Sequence, residues 1–340
     1  MSKRVTIQDL ADELNTTPST VSRALRGHKG ISNSMKKKVN NLAKKRNYQV
    51  NRAASNLRVG ESKTIGVIVP RINRDFFSNV IAGIEEVAFE AGYSIVICQT
   101  HDQLDKEKKY LNTLISSNVA GILISIGLET KKYNHFTEID RLDIPLIFFD
   151  RAFQKKGMNK ILIDDTEGAY QAVNHLISMG YKRIAHFAGP QSLKIYVDRK
   201  KGYLAALRDN NITIDESLII TNNLKQEEGK RDIQKLLQLN DPPDALFSAS
   251  DFPALGALLY LKDKGYSIPN DFGIVGFSNE KFTALISPSL TSVDQHSQEI
   301  GQHAAKICIE EINSKVSTVI PRTIILSPSL IIRESSKRIK

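Results

Sequence analysis

The sequence predicts an α/β protein with a small, basic, all-helical head and a larger core of two lobes, each a parallel sheet flanked by helices. Three observations predict it. Charge is unevenly placed: residues 1–60 hold 13 Lys/Arg and 3 Asp/Glu, while the remainder carries 34 of each, so the net charge of +10 belongs to the head. From Ile65 onward, short wholly apolar runs alternate with amphipathic helical stretches, the texture of buried parallel sheets. That alternation restarts near residue 160, which implies two similarly wound lobes. A length of 340 residues agrees with several domains.

The head comes first. Thr6 with Asp9 resembles a capping box, and Ile7, Leu10, Ala11 and Leu14 form the apolar face of a first helix. After the short turn Asn15-Thr16, Thr17 is placed to cap a second helix with Pro18 at its first position. Val21, Ala24 and Leu25 form the back of that helix, leaving Ser19, Thr20, Ser22 and Arg23 as a polar front. Two short helices joined so tightly suggest a helix-turn-helix. Ser32 caps a third helix whose Met35, Val39, Leu42 and Ala43 face inward, with Lys36, Lys37, Lys38, Lys44, Lys45 and Arg46 left outside to meet phosphates. A neutral body with such a head is a footprint for a polyanion; a solvated basic face or a membrane patch competes. Against a membrane surface, the head has no broad apolar stripe, and its one aromatic residue is Tyr48.

Residues 50–61 form a linker with Ala53, Ala54 and Leu57 at helical spacing, too short to be an independent helix. The first lobe then reads as strands at 65–69, 94–98, 121–125 and 145–150, with helices at 77–91, 105–116 and, more weakly, 133–142. The second lobe reads as strands at 160–164, 183–189, 218–221, 245–250 and 272–277, with helices at 167–179, 197–210, 226–238 and 252–264. The tail adds TSVDQ (291–295), a helix at 297–313 and the strands of TIILSPSLIIRE, which could cross between lobes. The resulting domains are 1–49, 50–61 and 62–340, with a first lobe of about 62–160 and 293–320 and a second of about 161–292 and 321–340. A ligand in such a fold sits beyond the carboxyl ends of the strands, here between the lobes.

Other functions find no support. Cys98 and Cys308 sit in apolar surroundings without metal or redox spacing, so buried free thiols are expected. There is no phosphate-binding loop, no Gly-x-Gly-x-x-Gly, no His-Glu-x-x-His and no Gly-x-Ser-x-Gly, and the seven histidines lack metal spacing. His175 and His186 read as structural. No cofactor, metal site or catalytic residue is expected. No apolar run spans a membrane and the N-terminus lacks a signal-peptide core, so the expected location is the cytoplasm, on the nucleoid.

TIQDLADELNTTPSTVSRALRG, VNRAASNLRVG, IGVIVPRINRDFFSNVIAGIEE, IPLIFFDR, DRKKGYLAAL, ALFSASDFPALGALLYLKDKGYSIPNDFGIVGFSNE and PSLTSVDQ occur in an order that resembles the lactose-repressor (LacI/GalR) family of bacterial transcription regulators, over essentially the whole length. The resemblance implies a helix-turn-helix, a hinge helix and a two-lobed core of the type I periplasmic-binding-protein kind. It also implies a homodimer on a pseudo-palindromic duplex operator. By matched position Pro18, Ser19 and Arg23 meet base edges. Arg23 suits guanine O6 and N7, with a phosphate contact as the alternative. Pro18 offers only apolar contact. Thr6, Thr17, Thr20, Ser22, Tyr48, Asn51 and Ala53 complete the DNA-contacting set, Tyr48 having packing under helix three as its rival role. Leu57 falls where the family inserts a leucine into the minor groove, and packing on its dimer mate is the competing role. Ser55-Asn56 replaces the family's frequent Arg-Ser.

For the effector, matched positions give Asn73, Arg74, Phe77, Asp150, Arg151, Arg199, Ser250, Asp251, Asn279 and Gln295. Arg199 is the family's usual ligand grip. Phe77 either stacks on a ligand or packs in the core, and Asp150 and Arg151 either bind hydroxyls or pair with each other. Ser250-Asp251 stands where the family has Asn-Asp, and Ser278-Asn279 where it has Asp-Asp or Asp-Asn. A carbohydrate effector suits the set, and Arg151 and Arg199 also allow a phosphate or carboxylate. The functional expectation is an effector-controlled repressor; its rival is a cytoplasmic sugar-binding sensor with an incidental head.

Overall fold

A computed structural model describes residues 5–48, 62–153, 155–314 and 320–338. Two compact units divide between Ser62 and Lys63. The linker at 50–61, with Asn51, Ala53 and Leu57, lies outside the described residues.

The first unit holds α1 (Ile7–Glu13), α2 (Pro18–Leu25) and α3 (Asn33–Lys45). Each begins where a hydroxyl accepts an otherwise orphaned backbone N–H: Thr6 from Asp9, Thr17 from Thr20 and Ser32 from Met35. Leu10, Ala11, Val21, Ala24, Val39 and Ala43 bury between the helices, with Met35, Leu42 and Tyr48 packed partly against them.

The second unit contains two six-stranded sheets. The first comprises β1 (Thr64–Val69), β2 (Ser94–Gln99), β3 (Gly121–Ile124), β4 (Leu146–Phe149), β5 (Asn159–Ile163) and β11 (Thr323–Leu326), in the order β11-β5-β4-β3-β1-β2. The second comprises β6 (Ile184–Phe187), β7 (Ile219–Ile220), β8 (Ala245–Ser248), β9 (Gly273–Phe277), β10 (Thr291–Asp294) and β12 (Ser329–Ile331), in the order β12-β10-β9-β8-β6-β7. All pairings are parallel except β10 with β12. Around the first sheet lie α4 (Asp75–Glu90), α5 (Leu104–Ser116), the short α6 (Thr137–Arg141) and α12 (Ser297–Asn313). Around the second lie α7 (Asp165–Ser178), α8 (Lys194–Asp209), α9 (Gln226–Leu236), α10 (Asp251–Asp263) and α11 (Phe282–Leu285). Apolar clusters fill both faces of each sheet, as wholly apolar parallel strands require. Helices α4 and α12 pack so closely that a Cβ on Gly83 would come within 2.2 Å of the Gln298 carbonyl oxygen, and one on Gly301 within 2.1 Å of the Val80 carbonyl oxygen.

Three expectations change. The strand expected to open the second lobe at 160–164 is β5 of the first sheet, and β11, assigned to the second lobe with 321–340, pairs with it, Ile324 opposite Ile161. Apolarity marks a buried strand but not which sheet it joins. The second lobe therefore starts at α7 and includes the whole of β10. The chain crosses between lobes at Asp164, at Gln295-His296 and between β11 and β12. The helix near 133–142 reduces to a 3₁₀ turn and the short α6. Finally, β2 is an edge strand with Val96 and Ile97 nearly half exposed, not a buried one. Cys98 and Cys308 are free and buried, and burial pushes both thiols up. Among the described residues, no helix is long and apolar enough to cross a membrane.

Candidate functional sites in the head and the cleft

On the head, α2 buries Val21 and Ala24 and leaves Thr17, Ser19 and Arg23 exposed, with Pro18, Thr20 and Ser22 half-exposed. Arg23 has no partner among the described residues. Thr17 and Thr20 are tied locally, their hydroxyls 3.0 Å apart. The Ser22 hydroxyl accepts from Arg26 Nη2 at 2.8 Å, which brings Arg26 beside the polar front of α2 although no sequence signal singled it out. Thr6 is engaged by Asp9 through both its N–H and its hydroxyl. Tyr48 is half-buried against the head core, and burial pushes its hydroxyl up. Arg46, expected to face phosphates, is paired with Glu13 at 2.8 Å.

In the core, the carboxyl ends of both sheets border one cleft of about 550 Å³. Of the ten predicted effector residues, Arg74, Phe77, Asp150, Arg151, Arg199, Ser250 and Gln295 line it. Three do not. Asn73 is exposed in the turn before α4. Asp251 points back into the second lobe, accepting from Ser292 Oγ at 2.6 Å and from the Glu280 N–H at 2.9 Å. It fits there because Gly276 has no side chain: a Cβ at that position would lie 2.1 Å from Asp251 Oδ1. Burial pushes this carboxyl up to about 6. Asn279 turns toward Asp294 and Arg333, donating to the first at 2.9 Å and accepting from the second at 2.7 Å.

The cleft's charged groups are mutually held. Asp102 accepts from Arg151 Nη1 at 2.7 Å and lies 3.4 Å from Arg71 Nε. Asp150, at the end of β4, accepts from the Ser125 hydroxyl and lies 3.7 Å from Arg151 Nε; burial raises its carboxyl. Arg199 is 3% exposed: Nε donates to Asp165 at 2.8 Å, Nη1 to the Ala249 carbonyl at 2.7 Å, and its face lies 3.6 Å from the Phe277 ring centroid. Burial pushes the Asp165 carboxyl up to about 7 even beside this cation. Asp150 and Ser278 reach the cleft with φ of +57° and +115°, backbone that costs about 1–3 kcal/mol each and gathers at binding sites.

The lobes also touch across the cleft. The Asp75 N–H donates to Glu280 at 3.0 Å, and the Lys281 N–H donates to Asp75 at 2.7 Å. Each lobe thus supplies a carboxylate to the other's backbone. Burial pushes the Glu280 carboxyl up to about 7. Arg74 lies over Phe252 on the opposite lobe, 3.4 Å from the ring centroid. Arg71, Asp102, Tyr196, Phe252, Ser278 and Glu280 also line the cleft and were not predicted as contacts. Glu280 directly follows the flagged Ser278-Asn279, and Tyr196 lies one helical turn before Arg199, so both were within reach of pattern reasoning. Arg71 and Asp102 meet only through tertiary folding.

Comparisons with known proteins add to this geometry. A family model described as periplasmic binding proteins and sugar binding domain of the LacI family matches residues 62–332, and one described as bacterial regulatory proteins, lacI family, matches 6–51. The chain is 33% identical to the transcriptional repressor CytR of Escherichia coli (strain K12), over 91% of this chain and 90% of that one. Among solved structures it is similar to the lac repressor dimer bound to operator and the anti-inducer ONPF, with a TM-score of 0.85, 23% identity, and coverage of 98% and 99%. It is similar also to a complex of the transcriptional regulator CelR with cellobiose, with a TM-score of 0.74, 25% identity, and coverage of 98% and 100%.

Proposed function

The chain belongs to the LacI family of effector-regulated, DNA-binding transcriptional repressors, and from that premise we propose which of its groups read the operator and which hold the effector. The front of α2 enters the major groove. Arg23 contacts a base edge, and Pro18, Ser19, Thr20, Ser22 and Arg26 set its register. The linker's Leu57 wedges the minor groove at the operator centre, with Asn51 and Ala53 beside it. The partner copy comes from a homodimer. Support for the dimer is the exposed apolar surface of β2 and α4, where Val96, Ile97 and Phe89 are 45%, 44% and 74% exposed.

The effector occupies the cleft. One observation carries this reading: a single cavity lined by Arg74, Phe77, Asp150 and Arg151 from one lobe and by Tyr196, Arg199, Phe252 and Ser278 from the other. Flat aromatic faces combined with guanidinium and carboxylate groups suit a hydroxyl-rich ring, so the effector is a sugar or sugar derivative; the similar regulator CelR forms a complex with cellobiose. Binding changes the angle between lobes and with it the spacing of the paired linkers. Ligand and operator affinities are then coupled reciprocally, by about 1–3 kcal/mol. The protein acts in the cytoplasm, on the nucleoid, without catalytic chemistry of its own.

A footprint with the intact chain on its own promoter region tests this. A protected pseudo-palindrome that shifts with added sugar is expected, and absence of any protected site would leave only a sugar-binding sensor. Leu57→Ala should weaken that footprint while effector binding persists; unchanged operator affinity would remove the wedge.

A further inference from the structure

Arg74 is the cleft guanidinium without an acceptor among the described residues. It is half-buried on Phe252, and among the described residues its guanidinium forms no hydrogen bond or ion pair. The other cleft guanidiniums are engaged, Arg71 and Arg151 by Asp102, and Arg199 by Asp165 and the Ala249 carbonyl. The buried carboxylates are engaged as well: Asp102 faces two guanidiniums, Asp150 receives the Ser125 hydroxyl, and Glu280 receives the Asp75 N–H. Glu227 lies exposed at the rim near the equally exposed Lys225.

Two more donors inside lack a hydrogen-bond acceptor among the described residues. They are Arg151 Nε, which lies 3.7 Å from Asp150, and Gln295 Nε2, Gln295 being 2% exposed with its oxygen already taken by the Ser278 hydroxyl. Among the described cleft-lining residues, the buried side-chain polar atoms lacking a hydrogen bond are these two donors and no acceptor. Helices α8 and α10 also begin at this cleft with no side-chain cap, so their N–H ends add partial positive charge.

Resting on the reading of the cleft as the effector site, we propose that the effector carries an oxyanion, a carboxylate or a phosphate, received by Arg74 together with Arg151 and Gln295. An oxyanion accepts several charge-assisted hydrogen bonds at once and matches a planar guanidinium. A neutral sugar would leave the Arg74 charge half-buried and unpaired. Burial pushes the Glu280 carboxyl up to about 7, which reduces the negative charge an anion would meet.

Titration of the intact chain with inorganic phosphate, at ionic strength fixed with chloride, tests this in wild type, Arg74→Gln and Arg74→Lys. The basic head also meets phosphate, so the difference between variants isolates the cleft. Phosphate affinity should fall roughly 10- to 100-fold in Arg74→Gln and largely return in Arg74→Lys. Equal phosphate affinity in wild type and a folded Arg74→Gln would overturn the proposal. Glucose, gluconate and glucose 6-phosphate form the second arm. Arg74-dependent binding of either charged form supports the proposal and identifies which oxyanion fits. Glucose binding that Arg199→Lys abolishes and Arg74→Gln leaves unchanged would overturn the oxyanion while keeping the cleft as effector site.

Discussion

Arg23 on the head and Arg199 in the cleft show how differently the two units use the same side chain. Arg23 is exposed on a short helix and has no partner among the described residues. Arg199 is 3% exposed, bonded to a carboxylate 34 residues away and to a carbonyl 50 residues away, and stacked on an aromatic ring. The first is free to meet whatever polyanion arrives. The second is already neutralised and oriented, so a ligand meets a fixed edge. A surface built like the head binds by releasing counterions. A surface built like the cleft binds by prearranged geometry, and part of its charge serves the fold itself.

The largest expected contrast is in salt dependence. Operator affinity should fall about 10³-fold or more between 50 and 200 mM salt, the range for a protein making six or more phosphate contacts. Effector affinity measured over the same range should move far less; parallel slopes would erase the distinction between the units.

Next is Arg199→Ala. Removing one partner of a buried pair leaves Asp165 uncompensated, at a cost of about 3–5 kcal/mol of core stability, read by denaturant unfolding. Effector response should vanish while operator binding survives below the lowered Tm. An unchanged unfolding midpoint would mean that the pair does not hold the second lobe.

Arg23→Ala should cost about 1–3 kcal/mol on the specific operator. Competition against unrelated DNA then separates the two roles open to this residue. A base contact predicts relaxed specificity, whereas a phosphate contact predicts equal weakening on every sequence and a salt slope smaller by about one.

The smallest effect concerns Glu280, whose carboxyl burial pushes up to about 7 from an ordinary 4.5. Between those values the folded state holds a proton that the unfolded chain has lost. This contribution is therefore fully present below about pH 4.5 and is lost as pH rises through about 7. Gln imitates the protonated form, so Glu280→Gln should flatten the decline in stability between pH 5 and 8, by on the order of 1 kcal/mol after screening at the cleft mouth. Identical pH profiles would show that the carboxyl across from Asp75 stays charged.

The head was legible almost entirely in order along the chain. Caps at Thr6, Thr17 and Ser32, and apolar spacing in α1 to α3, are local features separated by three or four residues. Seven predicted effector positions line one cleft because the carboxyl end of a parallel strand is a local landmark. Asn73, Asp251 and Asn279 sit at the same landmarks yet turn elsewhere. Their direction depends on φ, on a neighbouring glycine, and on partners more than a dozen residues away.

By itself the sequence determined what periodicity and charge decide locally: three capped helices, a basic head, and apolar strands alternating with helices. Only the tertiary structure decided which sheet β5 and β11 join, that β2 lies at an edge, that Asp102 gathers Arg71 and Arg151, and that Asp75 and Glu280 meet 205 residues apart. Strand apolarity records burial without recording a neighbour, and a charged side chain carries no mark of its partner until folding removes both from water.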